Sequence, residues 1–225
     1  MRKTVLITGV SKGIGFALAK TFLDNDYNVI GTCRTGIVEE LQHNNFRVLP
    51  LDLSDLDNIS NFSKNFQSNE APLELDVLIN NAGIGPDLDF DFPEESTFKQ
   101  TFDVNVIGTT FFTEQISKYI IQDGKIINIS SKMGSIDVCE LTDSVAYRMS
   151  KTALNMYTKI LANRQLGKHT IASVHPGWVR TTISKSNVNG RLSPEESAQK
   201  IFDFVVSDFR TGIFWNIETQ TECKW

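Results

Sequence analysis

Tyr147 and Lys151 lie four residues apart in the run Tyr147-Arg148-Met149-Ser150-Lys151. On a helix that spacing puts both side chains on one face. A phenol beside an ammonium can move a proton. Free tyrosine titrates near ~10, and a neighbouring cation favours its phenolate, bringing the value toward the working range. That chemistry suits a carbonyl being reduced, whose oxygen becomes a developing alkoxide and needs a proton donor and hydrogen-bond support. A hydroxyl for that support is available at Ser130-Ser131. Adjacent strand residues point to opposite faces, so the two serines cannot line one site equally. Near the N-terminus, Thr8-Gly9-Val10-Ser11-Lys12-Gly13-Ile14-Gly15 joins an apolar strand to a helical pattern. A loop in that context aims backbone N–H groups and the helix dipole at a pyrophosphate. Gly9 permits the turn, Gly13 the approach to phosphate and Gly15 close helix packing.

The elements that must hold these groups alternate. Thr4 to Thr8, Asn28 to Thr32, Arg47 to Leu51, Val77 to Asn80, Lys125 to Ile129 and Ile171 to His175 read as strands, with Ile213 to Ile217 as a final one. Four are rich in Val and Ile without polar alternation, as buried parallel strands are. Helical patterns run over Gly15 to Asp24, Val38 to His43, Asp55 to Gln67, Phe98 to Ile120 and Val145 to Gly167. A last helix begins at Ser193-Pro194-Glu195-Glu196, with Ser193 as cap, Pro194 at the first position and two glutamates suiting the dipole. The expected fold is a single-domain α/β Rossmann-type doubly wound parallel sheet of about seven strands over residues 1–225. The substrate region falls in loops near 84–93, 132–144 and 178–193. The Asp-rich stretch Asp87 to Pro93 reads as loop.

Cofactor choice is read where the second strand ends. An acidic residue there would bind the ribose 2′-hydroxyl of NAD, and an arginine accommodates a 2′-phosphate. This strand ends Gly31-Thr32-Cys33-Arg34, without a carboxylate, and Lys12 in the glycine loop could reach the same phosphate. Two cations favour NADP(H).

The ordered set of glycine loop, Asn80-Asn81-Ala82-Gly83, Ser130-Ser131, Tyr-x-x-x-Lys and Pro176-Gly177 resembles the short-chain dehydrogenase/reductase family over nearly the whole chain. Within it, the runs around Tyr147 and His175 to Thr181 look most like the C-factor and sniffer-type carbonyl reductases. The resemblance implies cofactor contacts at Gly9, Ser11, Lys12, Gly13, Ile14 and Gly15. It places Asp52-Leu53 near the adenine, although Asp52 also reads as a helix cap. It has Asn81, Ala82 and Gly83 line the adenosine ribose, and Lys151 hold the nicotinamide ribose. Pro176, Gly177, Val179 and Thr181 would contact the nicotinamide end; Thr182 is the adjacent competitor to Thr181, which the family spacing favours. The family pattern Ser-x-x-Gly matches Ser131-Lys132-Met133-Gly134 and selects Ser131. Asn105 would hold a water that contacts the lysine. The stretch from Ser131 to Tyr147 is slightly longer than in many relatives, and the extra residues, around Asp137 to Asp143, shape the substrate mouth. Helices Phe98 to Ile120 and Val145 to Gly167 resemble those that join subunits in this family, which implies a homodimer or homotetramer.

A net charge of −5 argues against a nucleic-acid footprint. No apolar run is long enough to cross a bilayer, and Val5-Leu6-Ile7 after Met1-Arg2-Lys3 is too short for a secretory signal. Cys33, Cys139 and Cys223 form neither a metal-ligand pattern nor a disulfide framework, which implies a reducing, cytoplasmic setting. The expected function is reduction of a small-molecule carbonyl, or oxidation of the corresponding alcohol, with NADP(H). The competing reading, a signalling protein that binds NADP(H) and reports its redox state, needs the glycine loop but not the proton donor. An epimerase or dehydratase is a weaker third, because those relatives usually carry a larger C-terminal substrate region.

Overall fold

The computed structural model describes residues 2–66 and 74–225. Eight strands form one sheet in the order β3-β2-β1-β4-β5-β6-β7-β8. They are β1 (Thr4–Thr8), β2 (Asn28–Cys33), β3 (Phe46–Pro50), β4 (Leu75–Asn80), β5 (Ile120–Ile129), β6 (Thr170–His175), β7 (Ile213–Asn216) and β8 (Thr221–Glu222). The first seven pair in parallel, and β8 runs antiparallel to β7. Strand order reverses between β1 and β4, where a doubly wound sheet opens a crevice at the carboxyl ends of its strands.

Strand β1 shows why the sheet is sandwiched. Val5 and Ile7 join one apolar cluster with Leu18 and Phe22 of α1 (Gly13–Asp24) and Ile201 and Phe202 of α6 (Pro194–Val206). Leu6, pointing the other way, joins Phe62 of α2 (Leu56–Phe66), and also Phe112 and Leu161. With both faces covered, an unbroken apolar run is stable where an alternating one would bury polar groups. Each such side chain contributes about 1.5–3 kcal/mol when fully buried. Helix α6 starts as its sequence dictates. The Ser193 hydroxyl accepts from the Glu196 N–H at 3.1 Å, and the Glu196 carboxylate accepts from the Ser193 N–H at 2.6 Å.

The segment Phe98 to Ile120 is not one helix. It divides into α3 (Glu95–Phe102), a π-helical stretch (Asp103–Gly108), α4 (Thr109–Ile116) and a 3₁₀ turn (Ser117–Tyr119), after which Ile120 already belongs to β5. The π stretch contains Asn105, whose side chain bonds a neighbouring loop. No helix forms over Val38 to His43. Six residues are too few to repay helix nucleation, and Val38 is instead buried in the cluster beneath α1. Helix α5 (Val145–Arg164) ends before Gly167, α1 starts two residues ahead of Gly15, and β8 was not expected. Helix α2 runs to Phe66, and the expected end at Gln67 lies outside the described residues.

A buried polar row crosses the sheet near its carboxyl edge. Asn80 of β4, Asn128 of β5 and Ser173 of β6 are register partners. Asn80 donates to Asn128 at 2.7 Å and to Thr113 at 2.8 Å, and Asn128 donates to Thr158 at 2.8 Å. Thr158 and Ser173 are also hydrogen-bonded, at 2.8 Å. In a dry interior such a network is favourable only when its members meet, so it fixes the strand register just below the site.

Candidate active site

The glycine loop leaves β1 and starts α1. Gly9 has φ 75°, and its N–H donates to the Thr32 carbonyl at 2.8 Å. A Cβ there would lie 2.9 Å from the Ala82 Cα, so the turn and the chain beyond β4 approach as only glycine allows. Asn81 ties the same two segments together. Its amide donates to the carbonyls of Thr8 at 2.8 Å and Gly9 at 3.3 Å. Lys12 stands at the N-cap of α1 and no side chain caps that helix. Its amino end therefore faces the crevice with its dipole uncovered, the arrangement that receives a phosphate. Ser11 and Lys12 are exposed, while Gly13 and Ile14 are half-buried.

Arg34 lies exposed just past β2, and its charge helps hold the Asp52 carboxyl below the usual range. The larger cause is the Ser54 hydroxyl, which donates to Asp52 at 2.7 Å. Asp52 does not cap α2. The Asp55 carboxylate accepts from the N–H groups of Asp57 at 2.9 Å and Asn58 at 3.1 Å. Leu53 is buried beside it. No Asp or Glu stands where β2 ends, so the ribose end of the crevice carries cations, and the residues present fit a phosphorylated dinucleotide.

Across the crevice, α5 carries Tyr147 and Lys151, which are 9% and 4% exposed. The Lys151 Nζ is 5.6 Å from the Tyr147 ring centroid and donates to the Ile129 carbonyl at 2.9 Å. The Ser131 side chain lies close enough to the Tyr147 phenol to favour its ionised form, and its oxygen accepts from the Met133 N–H at 3.1 Å. Ser130 points elsewhere, donating to Asn155 at 2.7 Å. The two serines thus take opposite sides of the chain, and Ser131 is the one that meets Tyr147.

The proton affinities differ from the sequence-based expectation. Burial pushes the Tyr147 phenol up to about 12. The nearby Ser131 hydroxyl opposes that rise and the Asp87 charge adds to it. Burial also pushes Lys151 down to about 8. Desolvation outweighs the cation's pull on the phenol, so Tyr147 is held in its protonated, donating form.

Asn105 turns inward from the π stretch. Its oxygen accepts from the Ile84 N–H at 2.9 Å, and its amide donates to the Ile84 carbonyl at 2.8 Å and to Ser150 at 3.1 Å. The wider winding of a π turn is a common way to aim one side chain at a functional site. A Cβ on Gly83 would lie 3.3 Å from Asn105 Oδ1 and 3.4 Å from Lys151 Nζ, so both groups converge above Gly83. Ala82 is half-buried beside it.

Beyond β6, Ser197 donates to the Pro176 carbonyl at 2.7 Å, and Gly177 takes φ 84°. Val179 is buried and bridges Leu192, which closes the 178–193 loop at its base. Asn187, which the sequence did not single out, donates to the Val179 carbonyl at 2.9 Å and to the Thr181 hydroxyl at 3.3 Å. The Thr181 methyl lies 3.5 Å from the Cβ position of Gly13, so this loop reaches the glycine cradle, whereas Thr182 is exposed. Sequence reasoning also missed Asp87, a buried carboxylate that accepts from the Tyr147 N–H at 3.1 Å.

Known proteins share this fold. The chain is 32% identical over 188 residues to a 3-amino-tetrahydro-pyrrolizinone reductase of Xenorhabdus hominickii, covering 81% of this chain and 63% of that one. This chain therefore spans somewhat less than two thirds of that relative's length. The carbonyl reductase Sniffer of D. melanogaster superposes with a TM-score of 0.88 at 26% identity, covering 100% of both chains. The NADPH-bound carbonyl reductase from chicken fatty liver gives the same TM-score of 0.88, identity of 26% and coverage of 100% of both chains. The family model described as short chain dehydrogenase matches residues 3–191. On that match the chain belongs to the short-chain dehydrogenase family.

Proposed function

We propose that this protein is an NADP(H)-dependent oxidoreductase that reduces a carbonyl, or oxidises the corresponding alcohol, with Tyr147 as proton donor and acceptor. The observation that carries the reading is the meeting of Ser131 and Lys151 at Tyr147, across the crevice from the glycine cradle. Bound NADPH supplies the hydride. With the carbon so reduced, Tyr147 would give its phenolic proton to the carbonyl oxygen. Ser131 orients the substrate oxygen, and Lys151 holds the nicotinamide ribose. Asn105, which holds Ile84 in place, would contact a water that relays protons to Lys151. Thr181 and the Val179 backbone receive the carboxamide.

A redox sensor would need the cradle alone, so the buried Tyr147 and its partners favour a catalyst. Turnover of NADPH against a panel of carbonyls tests this. The expected result is substrate-dependent NADPH oxidation, and binding without turnover of any carbonyl would favour the sensor.

Cofactor choice rests on Lys12 and Arg34. Arg34→Asp removes a charge-assisted contact to the 2′-phosphate and adds repulsion. A loss of roughly 1.5–3 kcal/mol is expected, or about ten- to a hundredfold in NADPH affinity. Titration of both cofactors checks it, and tighter binding of NADH to the unmodified protein would overturn the assignment.

The protein is further proposed to be a homodimer or homotetramer. Phe111 of α4 and Met149, Met156 and Ile160 of α5 are exposed, and the α5 residues share one helix face. Ile160→Glu is expected to dissociate the assembly in sedimentation, and a monomeric unmodified protein would reject the proposal. Among the described residues no helix is long and apolar enough to cross a membrane, and the cysteines are free thiols. The free thiols are what supports the proposed cytoplasmic setting.

A further inference from the structure

Helix α5, which carries Tyr147, starts without a cap of its own. Ser144 occupies the N-cap position, but its backbone is left-handed, with φ 55°, and its side chain accepts no N–H from the helix. Its hydroxyl accepts instead from the Asp89 N–H at 3.2 Å, and its own N–H donates to the Phe90 carbonyl at 2.9 Å. The missing acceptor comes from the 84–93 loop, where Asp87 Oδ2 takes the Tyr147 N–H at 3.1 Å. Asp87 is 1% exposed, and its Oδ1 has no hydrogen-bond partner among the described residues.

A buried carboxylate with one oxygen unmet is costly. The amino end of α5 offsets part of that cost, since a negative charge is favourable there. A neutral cap such as serine would satisfy the same N–H without burying a charge. The same charge also bears on the phenol of the residue whose N–H it holds, where it opposes the phenolate.

The groups around Tyr147 can be named by element. Lys151 faces it from α5, while Arg148 is turned away to Asp143, donating to that carboxylate at 2.5 Å. Ser131 faces it from the end of β5. From the 84–93 loop come Asp87 and the apolar wall, with the Gly85 Cβ position 3.0 Å from the Tyr147 ring and Leu88 beside it. Asn105 reaches the neighbouring Ser150 from the π stretch. Asp89 is engaged outside this set, accepting from Ser186 at 2.8 Å. Asp87 is thus the anion of the set, and a carboxylate beside a phenol disfavours the phenolate.

We propose that Asp87 is a positioning residue for the proton transfer: its carboxylate docks the 84–93 loop onto the start of α5 and holds Tyr147 in the protonated, donating form. This rests on the reading of Tyr147 as the acid/base. In reduction the Tyr147 O–H bond breaks as the new alcohol O–H bond forms, and the phenolate left behind is reprotonated from water. Asp87 keeps the donor loaded to higher pH. It also makes the reverse reaction, which needs the phenolate, begin only at higher pH, so the site is biased toward reduction.

The test is the pH profile of kcat/KM for reduction of an accepted carbonyl by NADPH. Asp87→Asn keeps an oxygen to accept the Tyr147 N–H and removes the charge. The alkaline limb is expected to move to lower pH, and Asp87→Glu, which restores the charge, to move it back. A purely structural cap would change rate or stability without moving the limb, and an unmoved limb overturns the inference. Should Asp87→Asn fold poorly, Asp87→Ser supplies a smaller neutral acceptor. In either variant, tyrosinate absorbance, taken as the difference from the matching protein with Tyr147→Phe, reads the phenol without turnover. The same downward shift is expected there, and an unchanged midpoint again overturns the inference. If Tyr147→Phe abolishes turnover while both readouts ignore Asp87→Asn, this inference alone fails. If Tyr147→Phe turns over normally, the acid/base reading fails and takes the inference with it.

Discussion

Replacing Tyr147 by phenylalanine is expected to slow carbonyl reduction by about 10²–10⁴-fold, the usual cost of losing a general acid, with little change in fold or cofactor affinity. The substitution removes one oxygen. The ring keeps its place against the 84–93 loop, and the Tyr147 N–H still donates to Asp87. What disappears is the buried O–H that Ser131 contacts. Lys151→Ala should harm both turnover and cofactor affinity, because the ammonium serves the tyrosine and the ribose. Ser131→Ala should lower turnover more than binding. Ser130→Ala should act mainly on stability, since its hydroxyl is spent on Asn155. Steady-state rates and cofactor titrations on the four variants check the pattern. A Tyr147→Phe protein with the unmodified rate would remove the mechanism. A Ser130→Ala protein that is inactive beside an active Ser131→Ala would reverse only the assignment between the serines.

Local chemistry made much of this legible from sequence. Val5-Leu6-Ile7 is apolar on both faces because α1 and α6 cover one side of β1 and other helices the other. Ser193-Pro194-Glu195-Glu196 carries its capping box in four letters. Tyr147 and Lys151 meet because helix geometry makes four-apart residues neighbours. The features that escaped depend on distant partners. The π stretch around Asn105 has no residue type that announces it. Its helical pattern is continuous, and only the contact with Ile84, 21 residues earlier, shows what the wider turn achieves. Asp87 lies in an Asp-rich segment that reads as solvated loop, and its partner is 60 residues on. The expected lowering of the Tyr147 proton affinity failed for a related reason. Spacing shows the ammonium next door but not the depth of burial, and burial proved the larger influence.

Gly15→Ala is expected to damage stability and cofactor binding together. A Cβ at Gly15 would lie 2.1 Å from the Gly9 carbonyl oxygen and 2.4 Å from the Asn81 amide nitrogen. Neither can step aside cheaply. Gly9 is held by its N–H bond to Thr32 and by contact with Ala82, and Asn81 is the strut between the glycine turn and the chain beyond β4. The start of α1 must therefore move off the sheet. Overpacking of this kind costs about 1–3 kcal/mol, which in a domain of this size lowers Tm by roughly 2–12 °C. The same displacement pulls the amino end of α1 away from the phosphates it would hold, so NADPH affinity should fall at least about tenfold. Arg34→Asp provides the contrast. That side chain is exposed, so its replacement should weaken NADPH binding while leaving Tm near the unmodified value. Thermal unfolding and NADPH titration of both variants separate the two effects. An unchanged Tm for Gly15→Ala would mean that the turn yields, and that the close approach of loop and helix is not what shapes the cradle.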